Sequence, residues 1–379
     1  MKLAVFKDYG FGRYFAQLFD SIPDTTFFIS EKNKSGLNIT PHRVHLLTKK
    51  KQLHDYLTSP INAWRRLVEN DYDKKRDFFY QEVERSAASG EFDVALTGSD
   101  RSLHTLASLK AKGHQFKLVY WIPFTIPFVD MFDPRSLAIR QAAFPHVDMF
   151  VAITDTCRRV LLLEGIPEEK IRHVYPGVNT EVFHPHPALA KDDVFRVLFV
   201  GKLVSWKGCY TLLYAAKELL SEISHLELMF VGQGAQRQGL GQAVELLGLK
   251  DKVKFTGFVK YDALPDIYAR SDAFVLPALP AINLAEQFGF VVAEAMACGL
   301  PAVVSQVGGL PEVVGGRKEL IFTPGDFWEL AARLRAIYRS KPLAAELGEY
   351  CLNHARTHYD ARKNGLALKA VLESMGQEA

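Results

Sequence analysis

Two carboxylates lie eight positions apart, at Glu286 and Glu294, in a stretch that reads EQFGFVVAE. The first precedes a Phe-Gly pair, where a loop should end, and the second falls within an apolar segment typical of a helix. If Gly289 opens that helix, its free backbone N–H groups form an anion site beside Glu286. An anion flanked by two hydroxyl-binding carboxylates describes a sugar nucleotide. The alternative interpretation is an ordinary amphipathic helix with two solvated acids.

Two lysines, Lys202 and Lys207, lie five positions apart on a glycine-bounded loop upstream, residues 201–208. Ammonium groups on such a turn suit a diphosphate, whose leaving-group charge grows in the transition state. Either lysine alone would be interpreted as an ordinary surface residue. The pair on one loop, ahead of the two glutamates, favours phosphate binding instead.

Alternating strands and helices must position these residues. In the C-terminal half, strands are predicted at residues 196–200, 226–231, 253–256, 273–276 and 302–305. Helices are predicted at residues 208–220, 263–270, 326–339 and 343–358. Such alternation predicts a parallel sheet, which binds ligands at the carboxyl ends of its strands. Four loops should therefore converge there: residues 201–208, 232–234, 257–259 and 277–289.

The N-terminal half shows the same alternation. Strands are predicted at residues 2–7, 92–96, 117–121 and 147–153, and helices at residues 14–19, 67–85, 98–109 and, after Thr154 as N-cap, to 163. The turn Gly10-Phe11-Gly12 is a place where backbone can approach a phosphate, although a tight turn is the default interpretation. Residues 176–179 indicate a hinge. The fold class is therefore α/β, with two doubly wound, Rossmann-like domains facing a central cleft.

The composition bounds the class of protein. The chain has 379 residues, 48% hydrophobic and 23% charged, which suffices for two domains with full cores. A net charge of +3 gives no support for nucleic-acid binding. The four cysteines lack metal-ligand spacing and are interpreted as buried thiols in a reducing cytoplasm: Cys157, Cys209, Cys298 and Cys351.

The charge is nevertheless uneven. Residues 42–76 carry nine lysines and arginines against four acids. This segment is either a solvated basic loop or a patch for an anionic membrane surface or a phosphorylated acceptor. The apolar run 118–129 is too short to span a bilayer, and residue 2 leads into a predicted strand, not a signal peptide. We expect a cytoplasmic protein, with peripheral attachment to the inner membrane face as the second option.

Five segments occur in the order found in one enzyme family: VGKLVSWKG, VGQG, VKFTGFV, EQFGFVVAEAMACGLP and VGGLPEVV. The chain thereby resembles GT4-type glycosyltransferases with the GT-B fold, the retaining glycosyl transferases group 1. The resemblance is strong over residues 147–326 and holds in outline over the N-terminal half. PGVNTEVFHP is similar to the hinge segment of that family. The motifs are specific for the family and unspecific for the sugar.

The resemblance implies distinct roles for the charged residues. Lys202 stands where the family commonly has an arginine, which keeps the charge but loses bidentate geometry. With Lys207 it would hold the diphosphate, while Glu294 would bond the ribose and Glu286 the transferred sugar. The other implied donor-binding positions are Gly12, Gly201, Gly232, Gly257, Phe258, Val259, Phe288, Gly289, Phe290 and Val291.

The resemblance also assigns roles to whole segments. Residues 1–178 would form an acceptor-side domain, residues 179–355 the nucleotide-sugar domain, and residues 356–379 a helix packing back on the N-terminal domain. The donor would be a UDP- or GDP-sugar, without a prosthetic group or metal, and the acceptor a hydroxyl of a glycan or lipid-linked molecule. Closure about the hinge would exclude water and complete the site.

The chain departs from the family in its N-terminal half. A histidine that commonly follows the strand at residues 117–121 is absent, and the chain reads YWIPF there. Polar replacements are Asp100, His104, Thr125 and Asp130. His104 favours a structural role, and Asp130 lies close to the loop. Since the leaving phosphate is thought to take the acceptor proton in this family, the missing histidine bears on rate or sugar choice more than on reaction class.

The predicted function is a retaining, metal-independent glycosyltransferase with Glu286, Lys202, Lys207 and Asp130 as its catalytic group. A sugar-nucleotide epimerase or a phosphorylase of the same fold is one alternative, and the glutamate pair and lysine loop disfavour it. The other is a degenerate glycosyltransferase-like protein that binds or scaffolds without turnover. The missing histidine supports that alternative.

Overall fold

Two parallel β-sheets organise the computed structural model, which describes residues 1–7, 13–30, 42–47, 82–186 and 193–375. Within those residues the first sheet has seven strands in the order β3-β2-β1-β4-β5-β6-β7, and the second has six in the order β10-β9-β8-β11-β12-β13. Every strand pairing described is parallel. Below, each sheet with its helices is called the N-terminal or the C-terminal domain.

The strands are short apolar runs, because parallel sheets covered on both faces bury both sides of each strand. All six residues of β8, for example, are buried. The N-terminal strands are β1 Leu3–Lys7, β2 Thr25–Ser30, β3 Arg43–Leu47, β4 Val94–Thr97, β5 Lys117–Ile122, β6 Met149–Ala152 and β7 Ile171–His173. The C-terminal strands are β8 Phe195–Val200, β9 Leu226–Val231, β10 Val253–Gly257, β11 Ala273–Leu276, β12 Ala302–Ser305 and β13 Ile321–Phe322.

The helices cover the sheets, and side-chain caps fix several of their starts. Thr154, as predicted, accepts a hydrogen bond from the backbone N–H of Cys157 at 3.1 Å. The helices of the N-terminal domain are α1 Arg13–Ala16, α2 Asp100–Ala111, α3 Pro134–Ala143 and α4 Asp155–Leu163, and residues 82–88 are also helical. The remaining helices are α5 Cys209–Leu219, α6 Arg237–Leu246, α7 Leu264–Ala269, α8 Phe290–Ala297, α9 Leu310–Val313, α10 Phe327–Arg339, α11 Lys341–His358 and α12 Ala361–Ser374.

The sequence missed several elements. Strands β2, β3, β7 and β13 and helices α3, α6 and α9 were not predicted, and the helix expected at residues 14–19 breaks into α1 and a 3₁₀ turn, Gln17–Phe19. Each missed strand of the first sheet is defined by pairing with another strand, as β3 is by β2, so local propensity carries little of that signal. Most of the predicted helix 67–85 and of the basic segment 42–76 lies outside the described residues.

The connection between the domains is hydrogen-bonded to the segment that joins helices α11 and α12. The N–H of Val178 donates to the carbonyl of Tyr359 at 2.8 Å, and the N–H of Ala361 donates to the carbonyl of Val178 at 3.0 Å. Helix α12 then lies against the N-terminal domain, where a Cβ on Gly365 would come within 2.2 Å of the Leu18 carbonyl oxygen. Close backbone packing therefore ties the C-terminal helix to the N-terminal domain.

Two further findings bear on the sequence predictions. Across the described residues, no helix combines the length and apolar character that crossing a membrane requires. All four cysteines are buried and unpaired, as expected. Burial raises the pKa of the Cys157 thiol to about 11.

Candidate active site

Helix α8 begins where the glycine pattern predicted. Gly289 is its N-cap, with φ of 78°, a left-handed conformation that glycine adopts at little cost. A Cβ at this position would lie 2.8 Å from Cδ2 of Leu310, so a larger residue would also have to displace that side chain. The helix starts four residues after Glu286 in the chain.

Lys207 and Glu286 form an ion pair, and their side chains are only 11% and 13% exposed. The ammonium group also lies 4.5 Å from the ring centre of Trp206. Gly208, with φ of 67°, follows the lysine, and a Cβ there would come within 1.7 Å of the Pro277 carbonyl oxygen. The loop after β8 is therefore pressed onto the loop after β11, which brings the lysine to the glutamate.

The two lysines of the loop are not equivalent. Lys202 is exposed, and no salt bridge involving it occurs within the described chain. Lys207, by contrast, is buried against the glutamate. The structure thus brings Lys207 and Glu286 together and leaves the Lys202 ammonium in solvent.

Three glycines lie side by side where strands β8, β9 and β10 end. The N–H of Gly201 donates to the Val231 carbonyl at 2.9 Å, and the N–H of Gly232 donates to the Gly257 carbonyl at 2.8 Å. A Cβ on Gly232 would lie 1.9 Å from the Gly201 carbonyl oxygen. The predicted convergence of these loops is therefore real. Phe258, which follows them, is 75% exposed.

Glu294 is buried, with 4% exposure, and accepts a hydrogen bond from Tyr268 Oη at 2.9 Å. Burial raises the pKa of its carboxyl to about 8, and the tyrosine bond opposes that rise. The interpretation of α8 as an amphipathic helix with two solvated acids is therefore wrong. Sequence reasoning missed Tyr268. A tyrosine in an apolar helix signals a need for a hydroxyl partner, but the partner lies 26 residues away.

The aromatic residues around Gly289 anchor the loop by packing. Phe288 is 1% exposed, and its ring lies 5.2 Å from that of Tyr359 and 5.3 Å from that of Phe290. The carbonyl of Val291 accepts from Tyr268 Oη at 3.3 Å. These side chains hold the backbone of the segment in place and turn away from solvent.

A glycine pair from the VGGLPEVV segment packs against the backbone of Glu286. The N–H of Gly309 donates to the Glu286 carbonyl at 3.0 Å. A Cβ on Gly308 would lie 2.0 Å from that oxygen, and one on Gly309 would lie 2.2 Å from the Gln287 carbonyl oxygen. Only glycines fit this turn, which we call the glycine turn (Gly308 and Gly309).

On the opposite side of the cleft, Thr125 faces the glycine turn. Its Oγ1 is buried and makes no hydrogen bond with any residue that the structure describes. It lies 3.1 Å from where a Cβ on Gly308 would be. Asp100 instead accepts from Tyr120 Oη at 3.3 Å, and His104 lies half-buried on α2.

For two predicted site residues, the structure describes no side-chain contacts. Gly12 lies outside the described residues, and Asp130 is placed by its backbone alone, in the 3₁₀ turn Val129–Phe132. Immediately after Gly12, however, Arg13 pairs with Asp262 at 2.8 Å. Tyr261 Oη donates to Gln17 Oε1 at 3.0 Å. The loop after β10 therefore contacts the N-terminal domain beside α1, a contact that sequence reasoning missed.

A separate cleft of about 1030 Å³ lies at the amino ends of the C-terminal strands. Phe195, Asp272 and Pro301 are among the residues that line it. None of the predicted site residues does so, because they lie at the opposite, carboxyl ends of the same strands. This cleft therefore plays no part in the site.

Two Rossmann-like domains in contact across a cleft, with these loops at the carboxyl ends of the second sheet, define a GT-B glycosyltransferase fold. The family comparison agrees. Residues 183–354 match the family described as "Glycosyl transferases group 1", so the resemblance found in the motifs is confirmed.

Curated relatives match over part of their length. An uncharacterized glycosyltransferase of Methanocaldococcus jannaschii is 36% identical over 39% of this chain and 39% of its own. The 2-deoxystreptamine glucosyltransferase of Streptomyces kanamyceticus is 31% identical over 65% of each chain. The chain thus spans less than two thirds of these relatives, so their activities do not transfer to it directly.

Among solved structures, HepE of Anabaena in complex with UDP superposes with a TM-score of 0.80. The match covers 99% of this chain and 100% of the other at 20% sequence identity. At that identity the likeness shows the fold, and it extends over both domains.

Proposed function

We propose that this protein is a retaining GT4-type glycosyltransferase that moves a sugar from a nucleoside-diphosphate sugar to a hydroxyl acceptor. The observation that carries the proposal is the buried Lys207–Glu286 ion pair at the start of α8. Burying a charge pair costs desolvation energy. The position of the Lys207–Glu286 pair, where the strand ends converge, suits a ligand that carries both phosphate and hydroxyl groups. A helix N-terminus beside it adds a favourable field for phosphate.

In this proposal the donor spans the three loops of the C-terminal domain. Lys207, with the exposed Lys202, neutralises the diphosphate, and the helix N-terminus at Gly289 contributes its dipole. Glu294 bonds the ribose: one of its oxygens accepts from Tyr268, and the other makes no hydrogen bond to any described residue. The backbone at residues 257–259 lines the base. UDP and GDP are both candidates, and UDP is the nucleotide bound to HepE.

The proposed reaction breaks the bond between the anomeric carbon of the sugar and the leaving phosphate oxygen. The acceptor oxygen bonds to the same carbon on the same face, and its proton passes to the departing phosphate. Lys207 stabilises the charge that develops on that phosphate. Glu286 fixes the sugar through its hydroxyls and holds the ammonium in place. Because the lysines supply the positive charge, we propose that the reaction needs no metal ion and persists in EDTA.

The N-terminal domain supplies the group that faces the sugar. The proposals from sequence were Asp100, His104, Thr125 and Asp130, with Asp130 preferred. The contacts favour Thr125, because its buried hydroxyl is unbonded among the described residues and it lies against the turn that supports Glu286. Asp130 remains a proposal. So does a glycan or lipid-linked acceptor, and so does attachment to an anionic membrane through residues 42–76.

The proposal is tested with a panel of UDP-, GDP- and ADP-sugars, with slow hydrolysis as the readout when no acceptor is known. We expect one donor to be hydrolysed. Glu286→Gln should lower that rate on the order of a hundredfold while the affinity for the free nucleoside diphosphate changes less than about threefold. Glu319→Gln is the matched control, because that carboxylate is 47% exposed and pairs with Arg317.

The outcomes separate the alternatives. Unchanged hydrolysis by Glu286→Gln, with a normal circular dichroism spectrum, would remove that residue from the site. Nucleoside-diphosphate binding without hydrolysis or transfer of any donor would favour the scaffold. Recovery of an epimerised sugar nucleotide would favour the epimerase.

A further inference from the structure

Glu312, on the short helix α9, reaches across the cleft to the N-terminal domain. Its carboxylate accepts from the N–H of Asp155 at 2.6 Å and from the N–H and Oγ1 of Thr156 at 3.1 and 3.2 Å. It also accepts from Tyr175 Oη at 2.9 Å. Each of these donors belongs to the N-terminal domain. One carboxylate of the C-terminal domain thus takes four hydrogen bonds from its neighbour.

These bonds complete the start of α4. The first N–H groups of a helix have no partner within the helix, and its N-terminus attracts negative charge. Thr154 satisfies the N–H of Cys157 from within the domain. Glu312 satisfies those of Asp155 and Thr156 from outside it. The full cap of α4 therefore exists only while the two domains are in contact.

Glu312 also lies a few residues after the glycine turn. That turn is held on one side by the carbonyls of Glu286 and Gln287, as described above. On the other side it meets the N-terminal domain, because a Cβ on Gly308 would lie 3.1 Å from Thr125 Oγ1 and one on Gly309 would lie 3.3 Å from Thr154 Cγ2. The turn is therefore packed between the two domains, in contact with the backbone of Glu286.

The same segment is tied to the hinge. Tyr359 Oη donates to the backbone carbonyl of Glu312 at 3.3 Å, and the carbonyl of Tyr359 accepts from the N–H of Val178. The rings of Tyr175 and Tyr359 lie 5.3 Å apart at 85°. A rotation about the hinge that opens the cleft would act directly on the bonds of Glu312.

We propose that Glu312 is a positioning residue that couples closure of the cleft to the placement of Glu286. In the closed arrangement its four bonds hold α9 and the glycine turn against the backbone of Glu286. When the cleft opens, those bonds are lost and the turn loses its packing against the N-terminal domain. The inference rests on the proposed function, since Glu286 is the residue that it positions.

The test compares Glu312→Gln with wild type and with the control Glu319→Gln. Gln keeps the shape, but its amide NH₂ opposes the N–H donors. Hydrogen exchange at the amides of Asp155 and Thr156 should become about tenfold faster. The dissociation constant of UDP or GDP should stay within about threefold, while kcat for donor hydrolysis falls at least about tenfold. A purely structural cap would accelerate exchange and leave kcat unchanged, and that result would overturn the inference.

A double-mutant cycle with Tyr175 sharpens the test. Tyr175→Phe removes one of the four donors and should lower kcat by a few fold in the wild-type background. In a Glu312→Ala background it should have almost no further effect, because the acceptor oxygen is gone. Additive losses would contradict a shared role and overturn the coupling.

Closure can be measured without turnover, which separates this inference from the proposed function. Fluorophores are placed at the exposed positions Leu163 and Leu246, which are 64% and 88% exposed. UDP or GDP should shift the energy transfer between them in wild type and shift it less in Glu312→Gln. If no donor is hydrolysed, the proposed function fails. The energy-transfer measurement still shows whether Glu312 takes part in closure of the cleft. An equal shift in both proteins would overturn the inference.

Discussion

At the scale of single residues, the Thr125 hydroxyl is buried and makes no hydrogen bond with any described residue. An unsatisfied buried hydroxyl costs roughly 1–3 kcal/mol. Such groups persist where a ligand or water completes them. Its place against the glycine turn points to the donor sugar as that partner.

We therefore predict opposite effects of Thr125→Val on stability and activity. Removal of an unpaired hydroxyl should leave the free energy of unfolding unchanged or raise it by about 1 kcal/mol. Turnover should fall about tenfold or more if the hydroxyl bonds the sugar. Urea unfolding and steady-state kinetics check both parts. A variant with lower stability and normal turnover would show that the hydroxyl serves packing alone.

Glu294 carries a second prediction at this scale, on the pH dependence of stability. Its folded pKa is raised to about 8 from the ordinary 4.5 by burial, so the folded protein keeps a proton that the unfolded chain releases above about pH 4.5. The stability from protonated Glu294 is fully present below that pH. It is lost as the pH rises through 8. The total effect is on the order of 4 kcal/mol.

Urea unfolding at pH 5 and pH 8 measures that loss. Glu294→Gln keeps the hydrogen bond from Tyr268 and cannot ionise, so most of the pH dependence over this range should disappear. Glu245→Gln is the control, since Glu245 is 62% exposed. An unaltered pH dependence in Glu294→Gln would show that another group titrates.

At the scale of elements, the glycine turn joins the segment from Glu286 to Glu294 to the N-terminal domain. Gly308 has φ of 56°, and a Cβ there would lie 2.0 Å from the Glu286 carbonyl oxygen. Gly316 has a similar φ of 69°, with nothing within 4 Å of its Cβ position. An alanine would be strained by the positive φ at both positions. Only at Gly308 would its Cβ also clash with a backbone oxygen.

Gly316→Ala should therefore lower the free energy of unfolding by about 1–2 kcal/mol and leave turnover unchanged. Gly308→Ala should cost more than about 2 kcal/mol, because the backbone must also move, and should lower turnover by displacing Glu286. Chemical denaturation and donor hydrolysis measure both. Equal effects of the two substitutions would show that the clash relaxes freely.

At the scale of the whole molecule, helix α12 packs against the N-terminal domain. The contact is backbone-close: a Cβ on Gly365 would lie 2.2 Å from the Leu18 carbonyl oxygen. Alanine normally stabilises a helix interior by about 1 kcal/mol relative to glycine. At Gly365 the sign should reverse.

We predict that Gly365→Ala destabilises the protein and speeds hydrogen exchange in α12 and in the turn Gln17–Phe19. Gly241, inside α6, is the matched control, because its Cβ would meet only the mobile end of Arg237 at 3.2 Å. Gly241→Ala should stabilise by a few tenths to 1 kcal/mol. Stabilisation by Gly365→Ala would mean that α12 shifts without cost.

Sequence reasoning succeeded where a local pattern has one physical outcome. The bounds of β9, β11 and β12 follow from apolar runs, the start of α4 from Thr154, and the start of α8 from Gly289. It failed where contacts between separate elements decide the outcome. Strand β3 exists through its pairing with β2, and the two lysines of one loop differ in exposure because only Lys207 meets Glu286.

By itself the sequence determined the fold class, the resemblance to a glycosyltransferase family and the order of its motifs, because strand period, glycine positions and motif order are local features of the chain. Only the tertiary structure decided which charges meet. It buried Glu294 beside Tyr268, paired Lys207 with Glu286, and brought Glu312 to the start of α4. These contacts join residues 26, 79 and 157 positions apart. The interactions depend on distances of a few ångströms between such residues, and chain order does not encode those distances.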